Sequence, residues 1–131
     1  MFLLLGAMMQ DFHQLKVWQK AHALVLRVYT ASKELPPSET MGLAAHLRRS
    51  AVTIPRGIAE GSGRTSDFEF AHDLKKSQAA AHELEYILLL CRDLGFIAEP
   101  LHDELLEDVL EVRRMISGLV SRLTRTPEQL P

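Results

Sequence analysis

Apolar residues recur along this chain at spacings of three and four over four separate stretches, the period of an amphipathic helix. In residues 15–35 the stripe is Leu15, Trp18, Ala21, Val25, Val28 and Ala31. Pro36 and Pro37 end that helix, because proline cannot continue the hydrogen-bond ladder and disfavours helix in the residue before it. Ser38 is then placed as the N-cap of a second helix beginning near Glu39, with the stripe Leu43, Leu47, Ala51, Ile54 and Ile58. Pro55 lies inside this helix, so a kink or break is expected there, helped by Gly57, and Gly61 and Gly63 are expected to close it. Ser66 and Glu69 have capping-box spacing and open a third helix. Its stripe runs through Phe70, Leu74, Ser77, Ala81, Leu84, Leu88, Cys91 and Leu94 to Gly95, a rod of roughly 42 Å at 1.5 Å per residue. Pro100 opens a fourth helix with Leu101, Leu105, Val109, Val112, Ile116, Leu119 and Leu123 facing one way, stopped by Thr126 and Pro127. No alternating strand pattern occurs.

Four helices with short connections predict an all-α, up-down-up-down antiparallel bundle. The bundle is expected over residues 12–125, with residues 1–11 and 126–131 as tails. A length of 131 residues suits one domain. At 47% hydrophobic and 24% charged the chain has a globular composition, which excludes a disordered or low-complexity chain. The apolar start, residues 1–9, lacks a basic flank and is followed at once by Gln10 and Asp11, so it reads as neither a signal peptide nor a span, with Met8 and Met9 as alternative starts. A soluble, cytoplasmic protein is expected. The single cysteine, Cys91, excludes an intramolecular disulfide and a Cys-based zinc site. The third helix also carries Tyr86, Ile87, Leu89 and Leu90 around its circumference. That surplus either forms a self-association face or lies beneath the Gly95–Ile97 connection.

Candidate chemistry is sparse. Two Glu-x-x-His pairs, Glu69 with His72 and Glu99 with His102, have the ligand spacing of di-metal bundles. Both open their helices, so in an antiparallel bundle they sit at opposite ends and cannot share a metal. Cys91 falls on an apolar stripe and reads as a core residue. No catalytic residue, metal or cofactor is therefore expected. The glycines of residues 60–64 lack the strand-loop-helix setting of a phosphate loop and read as a turn.

Charge adds more. The net charge of −2 excludes a protein basic all over, but not a local patch. Six acids and no base occupy residues 99–111, whereas four arginines and no acid occupy 113–125, an order that suits the helix dipole. The antiparallel arrangement gathers Arg122, Arg125, Lys16, Lys20, Arg56, Arg64, Lys75 and Lys76 toward one end, diluted by Asp11, Glu60, Asp67, Glu69 and Asp73. Glu60 stands four residues from both Arg56 and Arg64, suited to a salt-bridged run. Arg48 and Arg49 point about 100° apart, so one can face a groove or a phosphate while the other pairs with a carboxylate. Either a solvated charged surface or a phosphate-binding one fits this pattern.

The run LRRSAVTIPRGIAEGSGR at residues 47–64 resembles the signature of the four-helix-bundle family first known from intervening sequences in bacterial 23S ribosomal RNA genes. FHQLKVWQKA at 12–21, Glu83-Leu84-Glu85 and Leu94-Gly95-Phe96 are similar to the same family, so the resemblance spans residues 12–123. His46, Gly57 and Ala79-Ala80 depart from its usual pattern. The resemblance implies a homo-oligomer, typically a pentamer closed as a ring, and no enzymatic activity. A distant branch serves as the accessory protein of diversity-generating retroelements, binding nucleic acid and the reverse transcriptase. The expected function is thus a non-enzymatic homo-oligomeric bundle that binds RNA or DNA, or a nucleic-acid enzyme. The expected surface is a cationic end or channel lined by Arg48, Arg49, Arg56, Arg64, Lys75 and Lys76. A protein-protein scaffold without nucleic-acid affinity is the alternative, favoured by the near-balanced charge.

Overall fold

The computed structural model describes residues 11–125. A 3₁₀ turn at Phe12–Gln14 leads into four helices, α1 Lys16–Ser32, α2 Leu43–Ser62, α3 Asp67–Asp93 and α4 Glu99–Leu123, with no strand among the described residues. Of the expected tails, 1–11 and 126–131, all but Asp11 lie outside them. Helix pairs in contact are α1 with α2, α2 with α3, α3 with α4 and α4 with α1, the ring order of an up-down-up-down bundle. Cross-helix pairs show the antiparallel register. His46 of α2 meets Glu83 of α3 while Gly57 lies against Ser77, and Lys20 of α1 meets Glu111 of α4 while Arg27 meets Glu104.

The predicted stripes form the centre. Leu24, Leu47, Ile54, Ile58, Leu74, Leu84, Leu88, Leu105 and Ile116 are wholly buried, each worth about 1.5–3 kcal/mol of transfer free energy. Leu94 is the exception, 53% exposed as the cap residue that follows α3. Of the surplus apolar residues on α3, Ile87 is absorbed into the core, whereas Tyr86 and Leu89 remain open at 58% and 37%.

The second helix differs most from expectation. It begins at Leu43 because Pro37–Glu39 winds into a separate 3₁₀ turn, and Ser38 caps nothing. The Glu39 carboxylate instead accepts from the Leu43 amide at 3.1 Å, supplying the cap from outside the helix. The helix runs unbroken through buried Pro55 to Ser62. Gly61 is not a turn residue: a Cβ there would press on the Phe70 ring. Gly57 likewise lies tight against α3, where an added Cβ would meet Ser77, and the Ser77 hydroxyl donates to the Ile54 carbonyl at 2.9 Å across that contact. The residue that does need a left-handed backbone is Gly95, at φ +78° in the α3–α4 connection. Ser66 caps α3 by accepting from the Glu69 amide at 3.1 Å, while the Glu69 carboxylate takes the hydroxyls of Thr65 and Ser66.

Candidate functional site

The outer face of α2 forms an open cleft of about 570 Å³ that holds three of the predicted basic residues, Arg48, Arg49 and Arg56. They converge because Arg49 and Arg56 are seven residues apart on one helical face, and Arg48 lies eight residues, a little over two turns, before Arg56 on the side toward α1. Arg48 leans over the Tyr29 ring, its guanidinium carbon 5.8 Å from the centroid, and reaches the Ser32 hydroxyl and the Thr40 carbonyl, each at 3.4 Å. Among the described residues neither Arg48 nor Arg49 forms an ion pair, so the carboxylate partner considered for one of them is not found there. Arg49 is exposed. The α3 side of the cleft carries the hydrogen bond between His46 Nε2 and the Glu83 carboxylate at 2.7 Å. That bond, more than any other influence, holds the Glu83 carboxyl below the usual carboxylate range, with the charge of Arg49 adding to the effect. Ser50 is buried beside it, its hydroxyl in ordinary hydrogen-bonding geometry with no group among the described residues.

The remaining predicted residues lie elsewhere. Arg64 donates from Nε to Asp73 at 2.8 Å, and the Asp73 side chain is only 5% exposed, so this arginine satisfies a buried carboxylate. The run through Arg56, Glu60 and Arg64 does not form; Asp73 captures Arg64 because burial leaves that carboxylate in need of a partner. Lys76 is exposed on the flank of α3 that carries Glu83, two turns earlier, and Lys75 points away from α2, about 200° round the helix from Ser77. The predicted basic end is further weakened where Lys20 meets Glu111 at 3.4 Å. Arg27, Arg92 and Arg113 are also paired, with Glu104 and Asp108, Asp93 and Glu85 respectively. Among the described residues, no ion pair engages Arg48, Arg49 or Arg56.

Other chemistry is displaced or shielded. Exposed His72 and buried His102 stand at opposite ends of the bundle, as the antiparallel helices require, and the described residues gather no group of three metal-binding side chains. Cys91 is fully buried, and burial, with a smaller push from Glu39, moves its thiol up to about 11, so it is no nucleophile near neutral pH. No helix among the described residues is long and apolar enough to cross a membrane. A second groove, about 610 Å³ between α3 and α4, is lined by Tyr86, Leu89, Leu106, His102, Arg92 and Arg113.

A sequence profile described as 23S rRNA-intervening sequence protein matches residues 13–118. The chain belongs to that family. It is also similar to a crystal structure from Bacteroides thetaiotaomicron, described as a protein of unknown function from the S23 ribosomal protein family. The TM-score is 0.74 at 22% identity, over 79% of this chain and 97% of that one. At that identity the likeness speaks to the fold. No curated protein matches. Membership of the 23S rRNA-intervening sequence family thus agrees with the resemblance read from residues 47–64 and brings no established activity with it.

Two parts of the cleft carry no sequence signal. Tyr29 sits beside the α1 stripe and looks like any boundary aromatic until α2 packs next to it. His46 and Glu83 are 37 residues apart, and only the α2–α3 register joins them.

Proposed function

We propose that this chain is a non-enzymatic subunit of a homo-oligomer that binds nucleic acid through the outer face of α2. The observation that carries the reading is the set of three arginines around one open cleft, with no carboxylate paired to any of them among the described residues. Their guanidinium groups are always charged and match phosphate geometry in two-point contacts. A surface of this kind neutralises phosphates and releases counterions, which drives association regardless of base sequence. The family name ties its members to a ribosomal RNA setting and is consistent with such a partner. The buried thiol of Cys91 and the separated histidines favour a binding role over a catalytic one.

The open Tyr86 and Leu89 support self-association through the groove between α3 and α4. The same observation favours the second reading, a scaffold whose partner is a protein held by apolar contacts. Fluorescence anisotropy with labelled RNA and DNA at low salt separates the two. Binding that is lost in Arg49→Glu with Arg56→Glu, in protein with unchanged circular dichroism, supports the nucleic-acid reading. Absence of binding leaves the scaffold, whose partner stays bound at high salt. Light scattering on the same sample reads the subunit count; a monomer contradicts the oligomer.

A further inference from the structure

We infer that the α2 cleft takes a single strand of nucleic acid, with a base stacked on Tyr29 while Arg49 and Arg56 hold the backbone. This rests on the preceding reading and adds the class of strand. A duplex presents phosphates outward and keeps its base faces stacked inside, so it would use the arginines and nothing else in the cleft. The cleft holds more than arginines. Val52 and Ala45 give it apolar surface, and Tyr29 brings an aromatic ring that is 44% exposed. The neighbouring α1 residues Val25, Val28 and Ala31 turn into the core, and Tyr29 turns outward from them toward α2. An aromatic ring beside a cationic track is the arrangement that accepts unpaired bases of any sequence. The planar guanidinium of Arg48, already leaning over that ring, extends the stacking surface and adds its charge at the edge.

The rest of the cleft orients the strand. Arg49 and Arg56 lie along the outer ridge of α2, between Tyr29 on the α1 flank and the pair of His46 with Glu83 on the α3 flank. The Glu83 carboxyl is held below the usual carboxylate range, so it stays ionised near neutral pH and disfavours a phosphate on its own side. A backbone laid on the ridge therefore leans toward α1, where the ring is. An ionised carboxylate also accepts from the Watson–Crick edge of a base, whose amine and imine hydrogens are taken up by pairing in a duplex and free in a single strand.

The test is anisotropy at one low salt concentration with three labelled probes: a short single-stranded RNA, the DNA of the same sequence, and the RNA annealed to its complement. Single strands are expected to bind at least tenfold more tightly than the duplex. Tyr29→Leu is expected to weaken single-strand binding about fivefold or more, Tyr29→Phe to restore it, and neither to move duplex binding. Either sugar supports the inference, and a preference between them identifies the polymer. Equal affinity for single strand and duplex, unchanged by Tyr29→Leu, overturns the inference and leaves the cationic surface standing. No binding to any probe overturns both. Should Tyr29→Leu fail to fold, photo-crosslinking of a bromouridine-containing strand to the unaltered protein decides the matter: a crosslink at Tyr29 supports the inference, and crosslinks confined to other faces contradict it.

Discussion

Replacing Gly57 by alanine sets a local gain against a tertiary cost. In an isolated helix the change is favourable, by about 1 kcal/mol, because glycine is the weaker helix former. Here an added Cβ would fall well inside 3.0 Å of the Ser77 hydroxyl oxygen and 3.3 Å from the Asp73 backbone carbonyl oxygen. The serine cannot swing away without cost, since its hydroxyl donates to the Ile54 carbonyl at 2.9 Å in a fully buried site. Overpacking a core contact costs about 1–3 kcal/mol, and a buried hydroxyl left without its partner about 1–3 kcal/mol more. The tertiary cost exceeds the local gain, so Gly57→Ala is expected to destabilise by about 1–5 kcal/mol. Urea denaturation followed by far-ultraviolet circular dichroism measures it. The partner variant sharpens the test: in Gly57→Ala with Ser77→Ala the offending oxygen is gone and the nearest remaining side-chain atom, the Ser77 Cβ at 3.5 Å, is at ordinary contact distance. The double variant should be more stable than the two single losses added together, by more than about 1 kcal/mol. A Gly57→Ala protein as stable as the parent, or losses that simply add, would refute the close-contact account of this glycine.

Three further outcomes follow from particular groups. Arg64→Ala should lower the urea midpoint more than Arg49→Ala or Arg56→Ala, because it strands the buried Asp73 carboxylate; equal midpoints for all three would show that the pair contributes nothing. Cys91, with its thiol near 11, should react with a thiol reagent at pH 8 only as fast as the protein opens, and prompt labelling of the folded protein would contradict its burial. Glu83 is held below its ordinary value of 4.5, so its contribution is fully present above that pH and is lost as the pH falls through the lowered value. Stability followed from pH 6 into acid should therefore fall less steeply in Glu83→Gln than in the parent, and matching acid limbs would contradict the His46 contact.

The four helices were legible because their apolar stripes repeat with helical period, and the bundle order followed from short connections. The third helix shows this best: a serine cap, a run of stripe residues and a terminal glycine all sit in the sequence itself. The start of α2 was misplaced by four residues because proline and serine cues fit a cap and a 3₁₀ turn equally well, and only the Glu39 carboxylate at the Leu43 amide distinguishes them. Gly57 and Gly61 looked like breakers because their purpose lies in α3, at Ser77 and Phe70. The basic residues could be counted but not sorted. Asp73 occupies Arg64 through a contact that depends on how α3 begins, whereas Arg48, Arg49 and Arg56 are left around one cleft by the α1–α2–α3 packing. Tyr29 was invisible for the same reason, since its neighbour Arg48 is supplied by a different helix.

The central claim is that the three arginines of the α2 cleft, which no ion pair engages among the described residues, bind phosphate, and the salt dependence of binding tests it most directly. Each phosphate neutralised on a single strand contributes about −0.7 to the slope of log affinity against log salt, so three give about −2, or roughly a fifteenfold loss between about 50 and 200 mM. The measurement is a set of anisotropy titrations across that range on the parent and on Arg49→Glu with Arg56→Glu. The account predicts a slope near −2 for each chain engaged, and a flatter slope with weaker binding in the variant. A parent slope near zero, or one that the variant leaves unchanged, would contradict it.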